Sequence, residues 1–234
     1  KTSSAASDVY KRQLRAAERW EQTLFIFVSD HGPAFPGAKT TVYEPGLRTS
    51  MIVRDPRASS RGNRVEIQAS LIDIVPTILD WCEVERPERL HGRSLVHWAR
   101  GATVEPWVDE VYASHTFHEV TMYYPMRVVR TPRYKLIWNI AHQLPYPFAS
   151  DLHRSSTWQA ALAAGPESMY GMRTVDAYVH RAEFELYDLE TDPHETKNLA
   201  GDPAHAETLE QLQRKLREFQ RSTGDQWQLK WNRE

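Results

Sequence analysis

Two side chains that commonly bind metals stand at the end of an apolar run. The run Leu24–Val28 leads almost directly to Asp30 and His31, and a loop rich in glycine and proline then ends at Lys39. In open parallel sheets, ligands bind beyond the carboxyl ends of the strands. The spacing therefore predicts an anion site that holds a metal. The alternative is that Asp30 and His31 only cap the strand and turn the chain.

The elements around this pattern are typical of an α/β domain. The run 24–28 does not alternate polar with apolar residues, which favours an interior strand of a parallel sheet with both faces covered by helices. A second short strand is predicted at 49–53 and a polar loop at 55–64. Apolar residues at helical spacing over 71–81 predict a helix that Pro76 starts or kinks. We expect the earlier units of this domain to precede the segment.

The pattern changes near residues 105–111, where antiparallel elements begin. A hairpin with a turn at 131–133 and a helix starting at Asp202–Pro203 indicate a small α+β subdomain. Residues 142–182 show weak periodicity, which predicts a long, partly ordered surface loop. The predicted strands are 111–114, 126–130, 134–138 and 184–189, and the apolar stripe of the helix is Leu209, Leu212, Leu216 and Phe219.

Composition limits the classes of function. With 41% hydrophobic and 26% charged residues, the 234-residue chain is typical of a globular protein. A net charge of −2 argues against nucleic acid as a partner, and no apolar run approaches the roughly 20 residues of a membrane span. The single cysteine, Cys82, excludes an internal disulfide and a cysteine-based metal site, and we expect a partly buried thiol. Eight Trp and ten Tyr suit carbohydrate stacking or ordinary core packing.

The first thirteen residues are small and polar, and they lack the apolar core of a signal peptide. Residues 3–13, SSAASDVYKRQ, resemble a translated transposase adapter from sequencing libraries. We therefore expect residues 1–13 to be an adapter-derived artefact without regular structure, with the natural protein entering at about Leu14. The alternative is a natural disordered N-terminus. The expected domains are 14–108, part of the α/β core, and 109–234, the α+β subdomain.

Four motifs in order resemble the sulfatase family. They are SDHG after the apolar strand, a lysine eight residues beyond the histidine, YEPGLR at 43–48 and LYDLETDPHETKNL at 186–199. HEVTMYYPMR at 118–127 is most similar to the heparan N-sulfatases (sulfamidases, N-sulfoglucosamine sulfohydrolases). The resemblance runs from about Leu14 to the C-terminus. It implies the C-terminal part of an alkaline-phosphatase-like α/β sulfatase fold.

The resemblance also implies a divalent metal, usually calcium, at Asp30 and His31. The Asp30 carboxylate supplies the hard oxygen that calcium prefers, whereas imidazole suits zinc, manganese or iron better. Sulfamidases carry Asp-Asn at this place, so His31 departs from their pattern. Calcium is the first expectation, with manganese or zinc as alternatives.

Lys39 falls where the family places a cation against the sulfate, so we expect it to stabilise charge on the sulfuryl oxygens. Sulfatases attack sulfur with a formylglycine made from C/S-x-P-x-R. The stretch Cys82–Arg86 has the arginine spacing but lacks the proline. The nucleophile and the paired aspartates of the metal shell are therefore expected upstream. The chain alone is expected to be inactive and to expose the flank of an incomplete sheet.

His115, His118 and Glu119 are the candidates for substrate recognition, with the carboxylate facing a sugar hydroxyl or amine. An alternative for Glu119 is a structural ion pair with Arg127 or Arg130. The cluster Asp188, Asp192, His194 and Glu195 looks like a metal site, but Thr191–Pro193 is turn chemistry, so we expect a structural role.

The parent protein is expected to hydrolyse a sulfamate or sulfate ester, above all the N-sulfate of glucosamine in heparan-type glycans. The expected partner is thus a sulfated amino sugar or glycosaminoglycan fragment, and a homo-oligomer stays open. Two alternatives remain. One is a phosphonate monoester or phosphodiester hydrolase of the same superfamily, and the other is a non-catalytic glycan-binding homologue or a truncated product.

Overall fold

The structure is a computed structural model that describes residues 2–35, 37–59, 61–103, 105–120 and 122–232, without the side chains of 2–6 and 232. It divides into two units, residues 1–29 with 50–108 and residues 30–49 with 109–234. The α-helices are α1 (Thr2–Ala16), α2 (Glu44–Leu47), α3 (Ile74–Trp81), α4 (Val96–Ala99), α5 (Ser150–His153), α6 (Ser156–Ala163), α7 (Val175–Val179) and α8 (Ala206–Thr223). The strands are β1 (Phe25–Val28), β2 (Met51–Arg54), β3 (Val111–Phe117), β4 (Tyr123–Arg130), β5 (Tyr134–Asn139), β6 (Met169–Tyr170), β7 (Arg173–Thr174) and β8 (Phe184–Asp188).

The apolar strand of the first unit is not the doubly covered parallel strand that its sequence predicts. β1 pairs antiparallel with β2, from Phe25 opposite Arg54 to Val28 opposite Met51. All four residues of β1 are only half-buried, and Ile52 of β2 is exposed. The prediction is wrong because an apolar run is buried on both faces only where further strands and helices pack on it. Within the described residues, β1 pairs with one strand, β2.

Helix α3 begins where the apolar spacing and Pro76 predict it. A 3₁₀ turn over Leu71–Asp73 leads into it, and the Asp73 carboxylate accepts hydrogen bonds from the backbone N–H groups of Ser70 (2.8 Å) and Arg93 (2.7 Å). Cys82, directly after the helix, is exposed rather than partly buried. The chain turns back at Glu83, whose φ is +59°, so the thiol lies outside the packed face.

Helix α1 covers most of the segment expected to lack regular structure. Residues 2–16 contain no glycine or proline and are rich in Ala, Lys, Arg and Gln, all of which favour helix. The prediction of disorder is therefore not met in this stretch. The resemblance of residues 3–13 to an adapter concerns their origin and stays a prediction.

The second unit is built on a four-stranded antiparallel sheet with the order β3-β4-β5-β8. Helix α8 packs its predicted apolar stripe on one face, where Leu212 and Leu216 join Leu136 and Leu186 in one core. On the other face a second core gathers residues of the loop after β1, the sheet and the segment 141–152: Val42, Tyr43, Tyr124, Val128, Ile137, Tyr146 and Leu152. Alternation along β4 and β5 supplies both faces. This second core positions the loop that carries the chemical groups.

Residues 142–182 are folded, not the long surface loop that weak periodicity predicts. They form α5, α6, the hairpin β6–β7 and α7, and Trp158, Val175 and Tyr178 make a small core of their own. Short helices joined by turns give no sustained periodicity, so aromatic burial rather than pattern holds the segment. No helix in the described part of the chain combines the length and the apolar character needed to cross a membrane.

Candidate active site

The loop 30–48 folds back on itself through close backbone contacts. The Gly32 N–H donates to the Gly46 carbonyl at 3.2 Å, and a Cβ on Gly32 would stand 1.7 Å from the Pro45 carbonyl oxygen. The Tyr146 hydroxyl donates to the Thr40 carbonyl at 2.7 Å. The close approach of the Pro45 carbonyl thus requires glycine at position 32. The hydrogen bond from Tyr146 holds the loop at Thr40, next to Lys39.

Asp30 and His31 present an oxygen and a nitrogen side by side. His31 Nδ1 lies 2.6 Å from the Gly32 carbonyl oxygen, which places the proton of the neutral ring on Nδ1 and makes Nε2 the acceptor nitrogen. Nε2 is 3.8 Å from an Asp30 carboxylate oxygen, and the Asp30 side chain is 86% exposed. A metal-binding histidine typically donates its other ring N–H to a backbone carbonyl in this way.

The pair fits a divalent metal but does not complete its shell. Bonds of about 2.0–2.1 Å to nitrogen and about 2.0–2.6 Å to oxygen add to more than 3.8 Å, so both atoms can contact one ion. Among the described residues there is no group of three or more His, Cys, Asp or Glu that could hold a metal. Asp30 and His31 therefore supply two ligands and need further donors.

Lys39 is held by a carboxylate that the sequence does not single out. Its ammonium donates to Asp151 Oδ2 at 2.9 Å, and the lysine side chain is only 18% exposed. The hydrogen bond from Lys39 lowers the pKa of Asp151, which favours the ionised carboxylate beside the ammonium. Lys39 is therefore a positioned cation rather than a solvated one.

Glu119 binds Ser150, the neighbour of the aspartate that holds Lys39. Its carboxylate accepts hydrogen bonds from the backbone N–H (3.2 and 3.3 Å) and the hydroxyl (3.0 Å) of Ser150, the residue before Asp151. The structure therefore brings Lys39 and Glu119 to neighbouring residues at the start of α5. Sequence reasoning missed Ser150 and Asp151, because nothing in their local pattern marks them.

The alternative ion pairs for Glu119 do not form. Arg127 instead holds Asp225 through two hydrogen bonds of 2.5 and 3.0 Å, and Arg130 contacts both carboxylate oxygens of Glu44 at 3.3 Å. Arg127 thus binds the segment directly after α8, and Arg130 binds the loop 30–48. Within the described part of the chain, the Glu119 carboxylate thus accepts hydrogen bonds from neutral donors and forms no ion pair.

His115 and His118 occupy different environments. His115 lies in β3 with Nδ1 3.0 Å from the Tyr124 carbonyl oxygen, while its buried Nε2 has no hydrogen-bond partner among the described residues. Burial lowers the pKa of His115, so the ring is held neutral. His118 is exposed in the connection between β3 and β4, beside Glu119.

The acidic segment 188–195 makes structural contacts. Asp188 pairs with Arg133 at 2.8 Å, and the Asp192 carboxylate accepts from the backbone N–H groups of Thr196 and Lys197. Glu195 is fully buried and pairs with the equally buried Lys135 at 2.8 Å. Asp192 thus makes the turn contacts that the sequence predicts, whereas Asp188 and Glu195 form ion pairs with distant residues.

Glu195 and Lys135 also anchor the loop 30–48. Lys135 Nζ lies 3.3 Å from Glu44 Oε1, and the Glu44 N–H donates to Glu195 Oε2 at 2.6 Å. Burial raises the pKa of Glu195, whereas Lys135 and Arg130 outweigh burial and lower the pKa of Glu44. The YEPGLR motif is therefore the part of the loop that is fixed to the sheet.

Comparison with known proteins identifies the family. The model of the N-sulphoglucosamine sulphohydrolase C-terminal family matches residues 37–150 and 167–222. The chain belongs to this family. Human N-sulphoglucosamine sulphohydrolase is 38% identical over 230 residues, which cover 92% of this chain and 45% of the human protein. The chain thus spans less than half the length of the human protein.

Solved structures confirm the predicted fold class. A protein in complex with its substrate D-glucosamine-2-N,6-O-disulfate matches with a TM-score of 0.69 and 23% identity over 94% of this chain and 38% of its own. The phosphonate monoester hydrolase of Silicibacter pomeroyi matches with a TM-score of 0.65 and 21% identity, over 93% and 38% of the two chains. At these identities the likeness concerns the fold, which is the α/β fold shared by sulfatases and phosphonate hydrolases of the alkaline-phosphatase type.

Proposed function

We propose that the protein containing this chain hydrolyses the N-sulfate of a glucosamine unit in a heparan-type glycan. The observation that carries the proposal is the held Lys39 cation, which lies in the same loop as the Asp30–His31 pair in a chain of the N-sulphoglucosamine sulphohydrolase family. A structural relative is known in complex with its substrate D-glucosamine-2-N,6-O-disulfate, which supports a sulfated amino sugar as the substrate class.

The reaction breaks the S–N bond of a sulfamate. Water oxygen becomes bonded to sulfur, the nitrogen takes a proton, and the products are an amine and inorganic sulfate. Lys39 would stabilise the negative charge on the sulfuryl oxygens, and a positioned cation in a partly buried site commonly contributes several kcal/mol in this way. Asp151 keeps the ammonium in place before the substrate arrives.

The metal and the nucleophile belong to the same proposal. Asp30 and His31 would hold a divalent ion, which supplies charge at the sulfate oxygens when bound. Calcium agrees with the Asp30 oxygen, and manganese or zinc agrees with the His31 imidazole. The sulfatase resemblance implies a formylglycine nucleophile, which the residues of this chain do not supply.

His115, His118 and Glu119 are proposed to contact the sugar. Glu119 accepts hydrogen bonds from Ser150 and has the charge to attract the amine or a hydroxyl of the sugar. The exposed His118 is its neighbour, and the neutral His115 carries a buried Nε2 without a hydrogen-bond partner in the described chain. Together they would recognise a sulfated amino sugar or a short glycosaminoglycan fragment.

A phosphonate monoester hydrolase is the second candidate. The observation that favours it is His31, because an imidazole ligand suits the manganese or zinc chemistry of phosphoryl transfer better than calcium. The fold likeness to a phosphonate monoester hydrolase is compatible with both candidates.

The deciding experiment uses the protein that carries this chain together with the part its relatives have in addition. Purified protein is assayed on glucosamine N-sulfate, followed by the release of inorganic sulfate, and on a phenyl phosphonate monoester. A preference for the sulfamate of about a hundredfold or more in kcat/KM supports the proposal. A preference for the phosphonate supports the second candidate, and tight glycan binding without turnover supports a non-catalytic homologue.

A further inference from the structure

A charged cavity in the second unit, which we call the second cavity to distinguish it from the candidate active site, takes no part in the proposed reaction. It has a volume of about 360 Å³ and lies between the segment 169–182 and strand β8. Its lining includes Arg173, Arg181, Glu185 and Thr196, with Met169 and Met172 among the apolar residues. The volume falls within the range of about 300–1,000 Å³ that is typical of small-molecule sites.

Two arginines of this cavity have no carboxylate partner. Neither Arg173 nor Arg181 lies within ion-pair distance of an acidic side chain in the described residues, although Arg181 is only 5% exposed. Arg181 donates to the Tyr178 carbonyl and to the Met126 sulfur, and its Nη2 lacks a hydrogen-bond partner there. Buried guanidinium groups are normally paired, because an unpaired charge in a protein interior is costly.

The one acidic side chain in the lining is already occupied by neutral donors. Glu185 accepts from the hydroxyls of Tyr43 (2.8 Å) and Tyr187 (2.5 Å), and from the Asn139 amide (2.6 Å). Its oxygens are therefore hydrogen-bonded by neutral groups, and its charge acts on Arg173 and Arg181 only from beyond ion-pair distance. The lining of the cavity thus holds two arginines and one carboxylate, and neither arginine forms an ion pair with that carboxylate.

The arginines are instead supported by aromatic rings. Arg173 lies 3.9 Å from the ring centre of Tyr43, and Arg181 lies 3.6 Å from that of Tyr146. Such contacts stabilise a buried cation while leaving part of its hydrogen-bonding capacity unused. Arg173 makes one hydrogen bond through its guanidinium, to the Glu195 carbonyl, and its remaining N–H groups have no acceptor in the described chain.

We propose that this cavity binds a tetrahedral oxyanion of the sulfate class, with Arg173 and Arg181 as its cationic ligands. The forked donors of arginine match the oxygens of such an anion, and Thr196 and Asn198 add neutral groups to the lining. The cavity is larger than a bare anion needs, so the same chemistry serves free inorganic sulfate or a sulfate group on a sugar. The inference goes beyond the proposed function and does not depend on Lys39.

The test measures saturable binding of sulfate to the 234-residue chain. Equilibrium dialysis with radiolabelled sulfate is run at constant ionic strength, with chloride as the replaced anion, because sulfate also stabilises proteins without a site. Arg173→Gln should weaken binding by about ten- to hundredfold, the loss expected for a charged hydrogen bond. The exposed Arg221→Gln is the matched control and should bind like the parent chain.

A second pair of variants keeps the test valid if Arg173→Gln does not fold. Ala177 lines the cavity and is exposed on α7, so Ala177→Glu places a carboxylate beside the arginines and should abolish sulfate binding. Ala177→Gln, which adds the same bulk without charge, should retain it. Equal binding by Ala177→Glu and Ala177→Gln, or no saturable binding by the parent chain, would overturn the proposal.

Two further measurements separate this cavity from the candidate active site and identify the form of the anion. Lys39→Ala should leave the sulfate binding that depends on Arg173 intact, and a loss confined to Lys39→Ala would assign the bound sulfate to the active site and contradict the inference. Glucosamine 6-O-sulfate competing more strongly than inorganic sulfate supports a sugar-borne group. Competition by inorganic sulfate and phosphate alone supports a free anion, and either result agrees with the proposal.

Discussion

At the residue scale, Lys39 combines low exposure with a weakly held partner. Its side chain is largely covered, whereas the side chain of Asp151 is 52% exposed. The ion pair therefore orients the ammonium but is screened by water, so it adds little to stability. A sulfate group can replace the Asp151 contact, since both offer negatively charged oxygens.

Lys39→Ala should lower kcat of the protein containing this chain by about a hundred- to a thousandfold, the cost of removing one preorganised charge from such a site. Lys39→Arg should retain more activity because it keeps the charge. The measurement is steady-state hydrolysis of glucosamine N-sulfate, with circular dichroism to confirm folding. An unchanged kcat in Lys39→Ala would exclude its catalytic role.

His115 predicts a pH dependence of stability. Burial lowers its pKa in the folded chain below the ordinary value near 6.5, so below that pH the unfolded chain binds the extra proton more readily. The free energy of unfolding should therefore fall as pH drops below about 6.5, by about 1.4 kcal/mol per pH unit at most for one proton. Urea unfolding at several pH values measures this.

His115→Gln should flatten that pH dependence, whereas the exposed control His91→Gln should leave it unchanged. If His115→Gln and the parent chain show the same slope, another group is responsible and His115 is not held neutral by the fold.

At the element scale, the loop 30–48 depends on backbone contacts that only glycine permits. Gly32→Ala would push a Cβ against the Pro45 carbonyl oxygen, a backbone atom that cannot swing away. We expect a loss of about 1–3 kcal/mol in the free energy of unfolding, the usual cost of overpacking. Urea unfolding gives the value.

Gly201→Ala is the matched control for the loop variant. A Cβ on Gly201 meets nothing within 4 Å, so the same chemical change should alter stability by less than about 0.5 kcal/mol. Equal effects of the two substitutions would show that the close approach at Gly32 is not needed.

The buried pair Lys135–Glu195 joins β5, the 188–195 turn and the loop 30–48. Lys135→Met leaves Glu195 buried without its cation and should cost about 3–5 kcal/mol in the free energy of unfolding. Arg214→Ala, which breaks an exposed pair with Glu210, should cost less than about 0.5 kcal/mol. A loss below about 1 kcal/mol in Lys135→Met would contradict the structural role of the pair.

At the scale of the whole molecule, the first unit leaves apolar side chains uncovered around α3. Leu71, Ile72, Val75 and Ile78 are 41–54% exposed. Such a patch commonly marks a surface that packs on other protein. The 234-residue chain should therefore self-associate, and sedimentation velocity measures this.

Ile72→Lys/Val75→Lys should shift the chain towards monomer. Val120→Lys is the control, because Val120 is fully exposed but lies in the second unit. If both variants sediment like the parent chain, the α3 surface is not the cause of association. A monodisperse monomeric parent chain would exclude the prediction altogether.

Local sequence was sufficient for the elements whose signals are short-range. The stripe Leu209–Phe219 predicts α8, and the Pro-containing turn predicts the hairpin β4–β5. The ordered set of SDHG, Lys39, YEPGLR and LYDLETDPHETKNL predicts the family. In each case the information lies within a few residues or in a motif, where side-chain periodicity and turn chemistry act directly. The prediction for the run 24–28 was wrong, because the burial of a strand depends on the elements that pack on it and not on its own sequence.

Contacts between distant parts of the chain were decided only by the tertiary structure. Lys39 and Asp151 are 112 positions apart, and Glu119 reaches Ser150 in the same turn. The arginines of the second cavity come from a segment without periodicity. The sequence determined the chemical types of these groups and the elements that carry them. Folding alone decided which of them meet, because charge pairing and burial depend on distances in space that no local pattern records.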